Sequence, residues 1–208
     1  MGISFELTAV SLFSGSGGMA EGFRQAGFEI ILASDSNPDA ASTFCLNHPE
    51  TTFALGDISD LRHGNVHSSA LIESPDVVFG GPPCQGFSVA GPQDPTHPSN
   101  QLIWEFVDSI RYLKPLAFVM ENVPGLLNIQ GEMLLDRVVR GLEGSDGGYN
   151  VHFEVLNAAD FGVPQVRLRV LFVAIPKELV ESFSWPMPHF QLPQTVGDCL
   201  FDLMVARG

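Results

Sequence analysis

The order of apolar segments predicts an α/β domain built on a mostly parallel, doubly wound sheet. Three observations carry that expectation. Short apolar runs alternate along the chain with stretches whose apolar residues recur every three to four positions, the pattern of strands alternating with helices. The strand-like runs are apolar almost throughout, as strands covered on both faces are. Glycine-rich turns follow two of them, at Phe13 to Gly18 and at Gly80–Gly81, where strands of such a sheet end at a ligand crevice.

The elements follow in order. Ala9 to Phe13 reads as the first strand and Met19 to Ala26 as a helix stopped by Gly27. Phe28 to Ala33 is a buried strand, and Asn37–Pro38 supplies an N-cap with Pro at the first helical position, opening a helix through Phe44 and Cys45. Cys45 is expected on an apolar face beside Phe44. Asp76 to Phe79 is a short strand ahead of a Pro- and Gly-rich loop from Pro82 to Pro98. Leu102, Ile103, Phe106, Val107 and Ile110 then repeat at helical spacing, and Pro115 stops that helix. Leu116 to Met120 is another strand, Leu134 to Leu142 another helix, and Val151 to Leu156 and Val170 to Ile175 two closing strands. The expected organisation is a ligand-binding catalytic domain over residues 1–180, then a Pro-containing linker over 181–208.

Bulk properties bound the function. A chain of 208 residues with 45% hydrophobic and 16% charged residues supports a sizeable core and excludes a disordered chain. No apolar run approaches the roughly 18 residues of a membrane span, and Met1 to Phe13 lacks the positive start of a signal peptide. Three widely spaced cysteines without a C-x-x-C, and scattered histidines, predict neither a disulfide framework nor a metal site, and a reducing compartment such as the cytoplasm. The net charge of −14 opposes a polyanion, so a nucleic-acid reading has to account for that deficit.

Four motifs carry chemistry. Phe13-Ser14-Gly15-Ser16-Gly17-Gly18 joins a strand to a helix, letting a ligand approach the backbone and an anionic group meet the helix N-terminus. Asp35, at the end of the second strand, can accept hydrogen bonds from ribose hydroxyls. These features suit NAD, S-adenosylmethionine or another nucleoside; the glycines alone would also serve a tight turn. Gly80-Gly81-Pro82-Pro83-Cys84-Gln85-Gly86-Phe87-Ser88 places a thiol in a rigid, polar loop at the crevice, with glycines leaving room for a bulky substrate. Glu121-Asn122-Val123 ends the next strand, so its carboxylate is expected in the same crevice; a turn cap before Pro124 is the structural alternative. Gln165-Val166-Arg167-Leu168-Arg169, if extended, turns an amide and two guanidinium groups to one face, suited to phosphate or a polar base edge; an exposed edge strand is the alternative there.

Together these residues resemble the DNA cytosine C5-methyltransferase family, from about Leu12 to Ile175. The resemblance implies a Rossmann-like S-adenosylmethionine-dependent methyltransferase fold and a division of roles. Phe13, Ser14, Gly15, Gly17, Gly18, Asp35, Ser36, Asp57, Ile58, Pro82, Asn100 and Leu102 would hold S-adenosylmethionine, with Asp35 on the ribose and Asp57 on the adenine amino group. Pro83, Gln85, Gly86, Ser88, Asn122, Val123 and Gln165 would contact the substrate. Cys84, Glu121, Arg167 and Arg169 would be catalytic, and no metal is implied. Ser11 stands where the family usually has Asp, and Ser36 where it usually has a bulky residue. Thr195-Val196-Gly197-Asp198 is similar to the segment before the family's target-recognition region, and that region and the final Gly-Asn cofactor motif are not found in these residues.

In the implied mechanism the Cys84 thiolate adds to carbon 6 of cytosine, making carbon 5 electron-rich enough to take a methyl group. Glu121 donates to or shares a proton with ring nitrogen 3, Arg169 with Arg167 holds the base or its phosphate, and the target base is flipped from the duplex. The expected partners are DNA and, as one option, a separate C-terminal recognition chain, with the work done in the cytoplasm at a prokaryotic nucleoid. A nicotinamide enzyme would share the glycine loop and Asp35 but leaves Cys84, Glu121 and Arg169 unexplained. A tRNA-acting relative is a second alternative, against which Gly86 after Gln85 favours DNA. A non-catalytic, truncated or split subunit is a third.

Overall fold

The structure, a computed structural model, describes residues 7–61, 74–83, 101–127, 139–141, 148–178, 183–188 and 194–205. Seven strands form one sheet: β1 (Thr8–Leu12), β2 (Glu29–Asp35), β3 (Thr52–Leu55), β4 (Val77–Gly80), β5 (Ala117–Asn122), β6 (Tyr149–Asn157) and β7 (Leu168–Pro176). Their order is β3-β2-β1-β4-β5-β7-β6. β1 pairs in parallel with β2 and β4, β2 with β3, and β4 with β5, whereas β7 runs antiparallel to both β5 and β6. Because β1 connects to β2 on one side and borders β4 on the other, the chain reverses direction of winding there, and the crevice of a doubly wound sheet opens at that point. Antiparallel β7 brings its first residues, Leu168 and Arg169, to the edge where β1 to β5 end.

Helices cover both faces. On one, α3 (Gln101–Leu113) packs Ile103, Phe106, Val107, Ile110 and Leu113 against Val10, Leu12, Val78, Phe118, Met120 and Phe172. On the other, Ala20 of α1 (Gly18–Gln25) and Phe44 of α2 (Pro38–Asn47) meet Ala9, Ile30, Ala33 and Phe79. Phe23 stacks on Phe79 with ring centroids 4.0 Å apart. Local chemistry sets the helix ends. Asn37 caps α2 by accepting from the Asp39 and Ala40 N–H groups, with Pro38 at the first position, as the sequence predicts. Gly27, at φ 92, ends the turn after α1 while Phe28 N–H donates to the Phe23 carbonyl. Lys114 adopts φ 48 after α3, ahead of Pro115.

Two expectations are corrected by the fold, and one element was not expected. Cys45 is exposed rather than set on an apolar face; the buried positions of α2 and its cap are Ala41, Phe44 and His48, and residue 45 lies about 100° round the helix from Phe44. The stretch read as a linker holds a helix, α4 (Val196–Val205). β3 lies in a stretch for which the sequence suggested no element; its four residues show no buried alternation. The expected helix from Leu134 to Leu142 falls mostly outside the described residues, of which 139–141 are helical.

Candidate active site

The first wall of the crevice is the loop after β1. Phe13 takes φ 52 and Gly15 φ 53, and Gly17 caps α1 at φ 98. Glycine is required at 17 for a second reason: a Cβ there would lie 2.8 Å from His48 Nε2 and 3.0 Å from the Phe44 ring. Added Cβ atoms at Gly15 and Gly18 would meet nothing within 4 Å, so the loop faces open space there. Ser14 anchors the loop internally. Its hydroxyl donates to the carbonyls of Ser11 (3.0 Å) and Ser34 (3.1 Å), and its N–H donates to Ser34 as well. Gly17, at the N-cap, offers no side chain to the first N–H groups of α1, and such a helix terminus favours an anion.

Asp35 ends β2 and shapes the same loop. One carboxylate oxygen accepts from Gly15 N–H at 2.8 Å and the other from Asn37 N–H at 2.9 Å. Each oxygen keeps a second lone-pair direction for an incoming hydroxyl. The pocket beside it is lined by Phe13, Ser34, Asp35, Ser36, Gly56, Asp57, Ile58, Gly81, Pro83 and Leu102. Asp57 is exposed and accepts from Ser59 N–H at 2.8 Å, whereas Ile58 is buried and joins the core beneath.

A second pocket adjoins the first through Phe13 and Gly81, and is lined further by Ser11, Ser14, Gly18, Met19, Phe79, Gly80, Glu121, Val163 and Arg167. β4 and β1 approach closely at its floor, where a Cβ at Gly80 would sit 2.3 Å from the Leu12 carbonyl oxygen. The Glu121 carboxylate packs beside Gly81, 3.4 Å from where a Cβ would be. Glu121 Oε1 lies 2.9 Å from Arg169 Nε and 3.6 Å from Arg167 Nη2. Antiparallel pairing of β5 with β7 makes this contact: Glu121 is in register with Leu171, and Arg169 follows one pair beyond the strand end.

Asn122 is buried and inward-facing. Its Nδ2 donates to the Pro82 carbonyl at 3.1 Å and its Oδ1 accepts from Val123 N–H at 2.9 Å. It therefore ties the end of β5 to Pro82, two residues ahead of Cys84 in the chain. Pro82 is buried and Pro83 exposed. Gln165 was expected on one strand face with the two arginines. It lies instead in a bend before β7, with its N–H donating to the Val163 carbonyl at 2.7 Å. Arg167 and Arg169 do converge. Cys84, Gln85, Gly86, Ser88 and Asn100 lie outside the described residues. The crevice also uses residues the sequence reading did not single out, Ser34, Met19 and Val163, which carry no chemical signal in isolation. Among the described residues no group of three or more His, Cys, Asp or Glu could hold a metal, and no helix is long and apolar enough to cross a membrane.

A seven-stranded sheet with one reversed strand, and a two-chambered crevice at its switch point, defines the Rossmann-like methyltransferase class. Within that class the chain matches the C-5 cytosine-specific DNA methylase family over residues 7–207, and it belongs to that family. It is 38% identical over 192 residues to the type II methyltransferase M.AquIA of Picosynechococcus, covering 88% of this chain and 77% of that protein. It is 37% identical to M.DdeI of Desulfomicrobium norvegicum, covering 83% and 41%, and 38% identical to M1.HphI of Haemophilus parahaemolyticus, covering 93% and 52%. Apart from M.AquIA, then, the chain spans about half the length of these relatives. Among solved structures it is similar to a protein described as a prophage-encoded DNA modification methyltransferase of E. coli, at 29% identity and TM-score 0.77, covering 94% of this chain and 55% of that one. These comparisons give no support to a separate recognition chain.

Proposed function

We propose that this chain carries the catalytic machinery for transferring a methyl group from S-adenosylmethionine to carbon 5 of cytosine in DNA, through a covalent bond to Cys84. The observation that supports this reading best is the meeting of Glu121 with Arg169 and Arg167 in a chamber that shares Phe13 and Gly81 with the Asp35 pocket. A base and a nucleoside cofactor have adjoining places there.

The residues present fit that cofactor. Asp35 offers free lone pairs toward ribose hydroxyls, Asp57 an exposed carboxylate toward an amino group, and the uncapped α1 terminus N–H groups toward a carboxylate. The open space over Gly15 and Gly18 admits a ligand against the backbone. When bound, S-adenosylmethionine supplies an electrophilic methyl group. The chain's own residues do the rest. Cys84 as thiolate attacks carbon 6, forming a C–S bond. Glu121 holds ring nitrogen 3 through a shared proton as negative charge develops there, and Arg169 with Arg167 fixes the carboxyl and base in place. Asn122 positions the Cys84 loop through Pro82. A solvent-derived base then takes the carbon 5 proton as the C–S bond breaks and the Cys84 thiolate leaves, which restores the ring. The target carbon lies within the stack of a duplex, so the base is flipped out to react. DNA is the proposed partner. With 10 Lys and Arg against 24 Asp and Glu, these residues offer few phosphate contacts, and the remaining length seen in the relatives is the proposed source of DNA grip and sequence choice. The work is placed in the compartment that holds the DNA.

The test is trapping with duplex DNA containing 5-fluorocytosine, whose fluorine blocks the final elimination. The DNA-methylating form of the protein is expected to give a covalent adduct. Cys84→Ser should give none while keeping its dissociation constant for S-adenosylmethionine, because the cofactor loop is built separately. Wild-type levels of adduct from the serine variant would refute the assignment.

A further inference from the structure

Asn157 ends β6 and belongs to none of the four motifs. Its single Oδ1 accepts two backbone hydrogen bonds, from Ala159 N–H at 3.3 Å and from Arg167 N–H at 3.1 Å. The neighbouring Ala158 N–H donates to the Arg167 carbonyl at 3.0 Å. Both polar groups of the Arg167 backbone are therefore gripped by residues at the end of β6. Between those grips the chain runs out through a 3₁₀ turn over Ala158–Phe161 and returns past Gly162, whose φ of 87 closes it.

The two arginines of the site are held differently. Arg169 lies in β7, in register with Leu156 of β6, and meets Glu121 at 2.9 Å. Arg167 precedes the strand. Its side chain is 46% exposed and meets Glu121 only at 3.6 Å, a contact too long and too wet to place a flexible side chain by itself. Its position is inherited from its backbone, and the backbone bond that a side chain supplies is the one from Asn157.

We propose that Asn157 is a positioning residue of the methyl-transfer site, its amide oxygen fixing the backbone of Arg167 and so the guanidinium that faces Glu121. The proposal rests on the reading of Glu121 and the arginine pair given above. Among the described residues only the oxygen of the amide is used, so Asn157→Asp keeps the latch and Asn157→Ala removes it.

The experiment compares these variants in the DNA-methylating form of the protein. Asn157→Ala is expected to lower kcat about tenfold, less than the ~10²-fold that a 1 Å misplacement can cost, with the S-adenosylmethionine dissociation constant unchanged. Asn157→Asp should restore kcat to within about twofold. In an Arg167→Ala background, Asn157→Ala should cost nothing further, because it acts only through Arg167. A full additional loss in that background, or an Asp variant that binds cofactor normally yet is no faster than Ala, overturns the proposal. Amide hydrogen exchange separates this from the functional reading. The Arg167 N–H should exchange faster in Asn157→Ala and not in Asn157→Asp, whether or not methyl transfer is seen. Unchanged protection in the Ala variant sinks the latch, whereas a wild type that methylates no DNA sinks the functional reading.

Discussion

The two sides of the crevice each place a carboxylate at a strand end, and they hold it in opposite ways. On the β1–β2 side, Asp35 is bound by backbone N–H groups from Gly15 and Asn37, and Ser14 stitches the same loop to β2. On the β5–β7 side, Glu121 is bound by side chains, the guanidinium groups of Arg169 and Arg167. Backbone partners cannot move without moving the loop, so Asp35 is scaffold as well as the proposed ligand acceptor. Side-chain partners can exchange, so Glu121 can trade part of its arginine contact without disturbing a strand, as its proposed role toward a base requires. The difference fits a division between a cradle that must be preformed and a charge centre that must respond to chemistry.

The largest effect is expected from breaking the side-chain arrangement. Among the described residues, Arg169→Ala leaves Glu121 only the contact to Arg167 at 3.6 Å. Methyl transfer should fall about 10²-fold, the order seen when a positioned catalytic donor is lost, with cofactor affinity unchanged. Arg169→Lys should recover little, since an ammonium point charge does not reproduce a guanidinium fork. Single-turnover methylation with a parallel calorimetric titration of S-adenosylmethionine checks both. A fall in cofactor affinity equal to the fall in rate would mean the two sides of the crevice are not separate.

Breaking the backbone arrangement should give a smaller effect on a different readout. Asp35→Ala removes the proposed ribose acceptor, a charge-assisted bond worth about 1.5–3 kcal/mol, or roughly tenfold to a hundredfold in the dissociation constant for S-adenosylmethionine. It also frees the Gly15 and Asn37 N–H groups, so their amide exchange should quicken even without ligand. Asp35→Asn keeps one acceptor oxygen and should fall between. Weakened binding with unchanged Gly15 exchange would show Asp35 to be a ligand acceptor without the scaffold role; the converse would leave it scaffold alone.

The same contrast explains what was legible in the sequence. The β1–β2 side is built from bonds between near neighbours or adjacent strands, so Phe13 to Gly18, Asp35 and the Asn37–Pro38 cap announce their elements one after another. Glu121 was legible as a strand-end carboxylate. Its partners were legible only as a basic pair, because the contact depends on β7 inserting antiparallel between β5 and β6. Apolar runs such as Val170 to Ile175 carry no sign of direction or order. Gln165 was drawn onto the arginine face by assuming an extended strand that starts only at Leu168. Asn157 bore the ordinary signal of a cap, an Asn before a short turn, which says nothing of a residue ten places on. The apolar neighbour Phe44 does not fix the face of Cys45, because helical geometry separates adjacent residues by about 100°.

A local carboxylate–arginine pair supplies the control for this comparison. On α1, Glu21 Oε2 meets Arg24 Nε at 2.8 Å and Oε1 meets Arg24 Nη2 at 2.8 Å, with Gln25 Nε2 also donating to Oε1 at 2.8 Å. These distances are at least as short as those at Glu121, but the pair is local, three residues apart on one helix, and faces solvent. The Arg24 and then the Gln25 hydrogen bonds hold the Glu21 carboxyl down to about 2 from its ordinary 4.5. A depressed value means that whatever stability the pair adds is present above pH 4.5 and is lost as pH falls from there through about 2. Exposure keeps that contribution small and salt erases it. Glu21→Gln should therefore shift the thermal midpoint at neutral pH by no more than about 2 °C and leave methyl transfer untouched. A carbon-detected titration of wild type should place the Glu21 midpoint well below the ordinary carboxylate range at low salt, moving back toward it in high salt. A midpoint near 4.5 at low salt would show that the pair does not persist in solution, and a loss of methyl transfer in Glu21→Gln would show that α1 is coupled to the crevice more tightly than its bonding suggests.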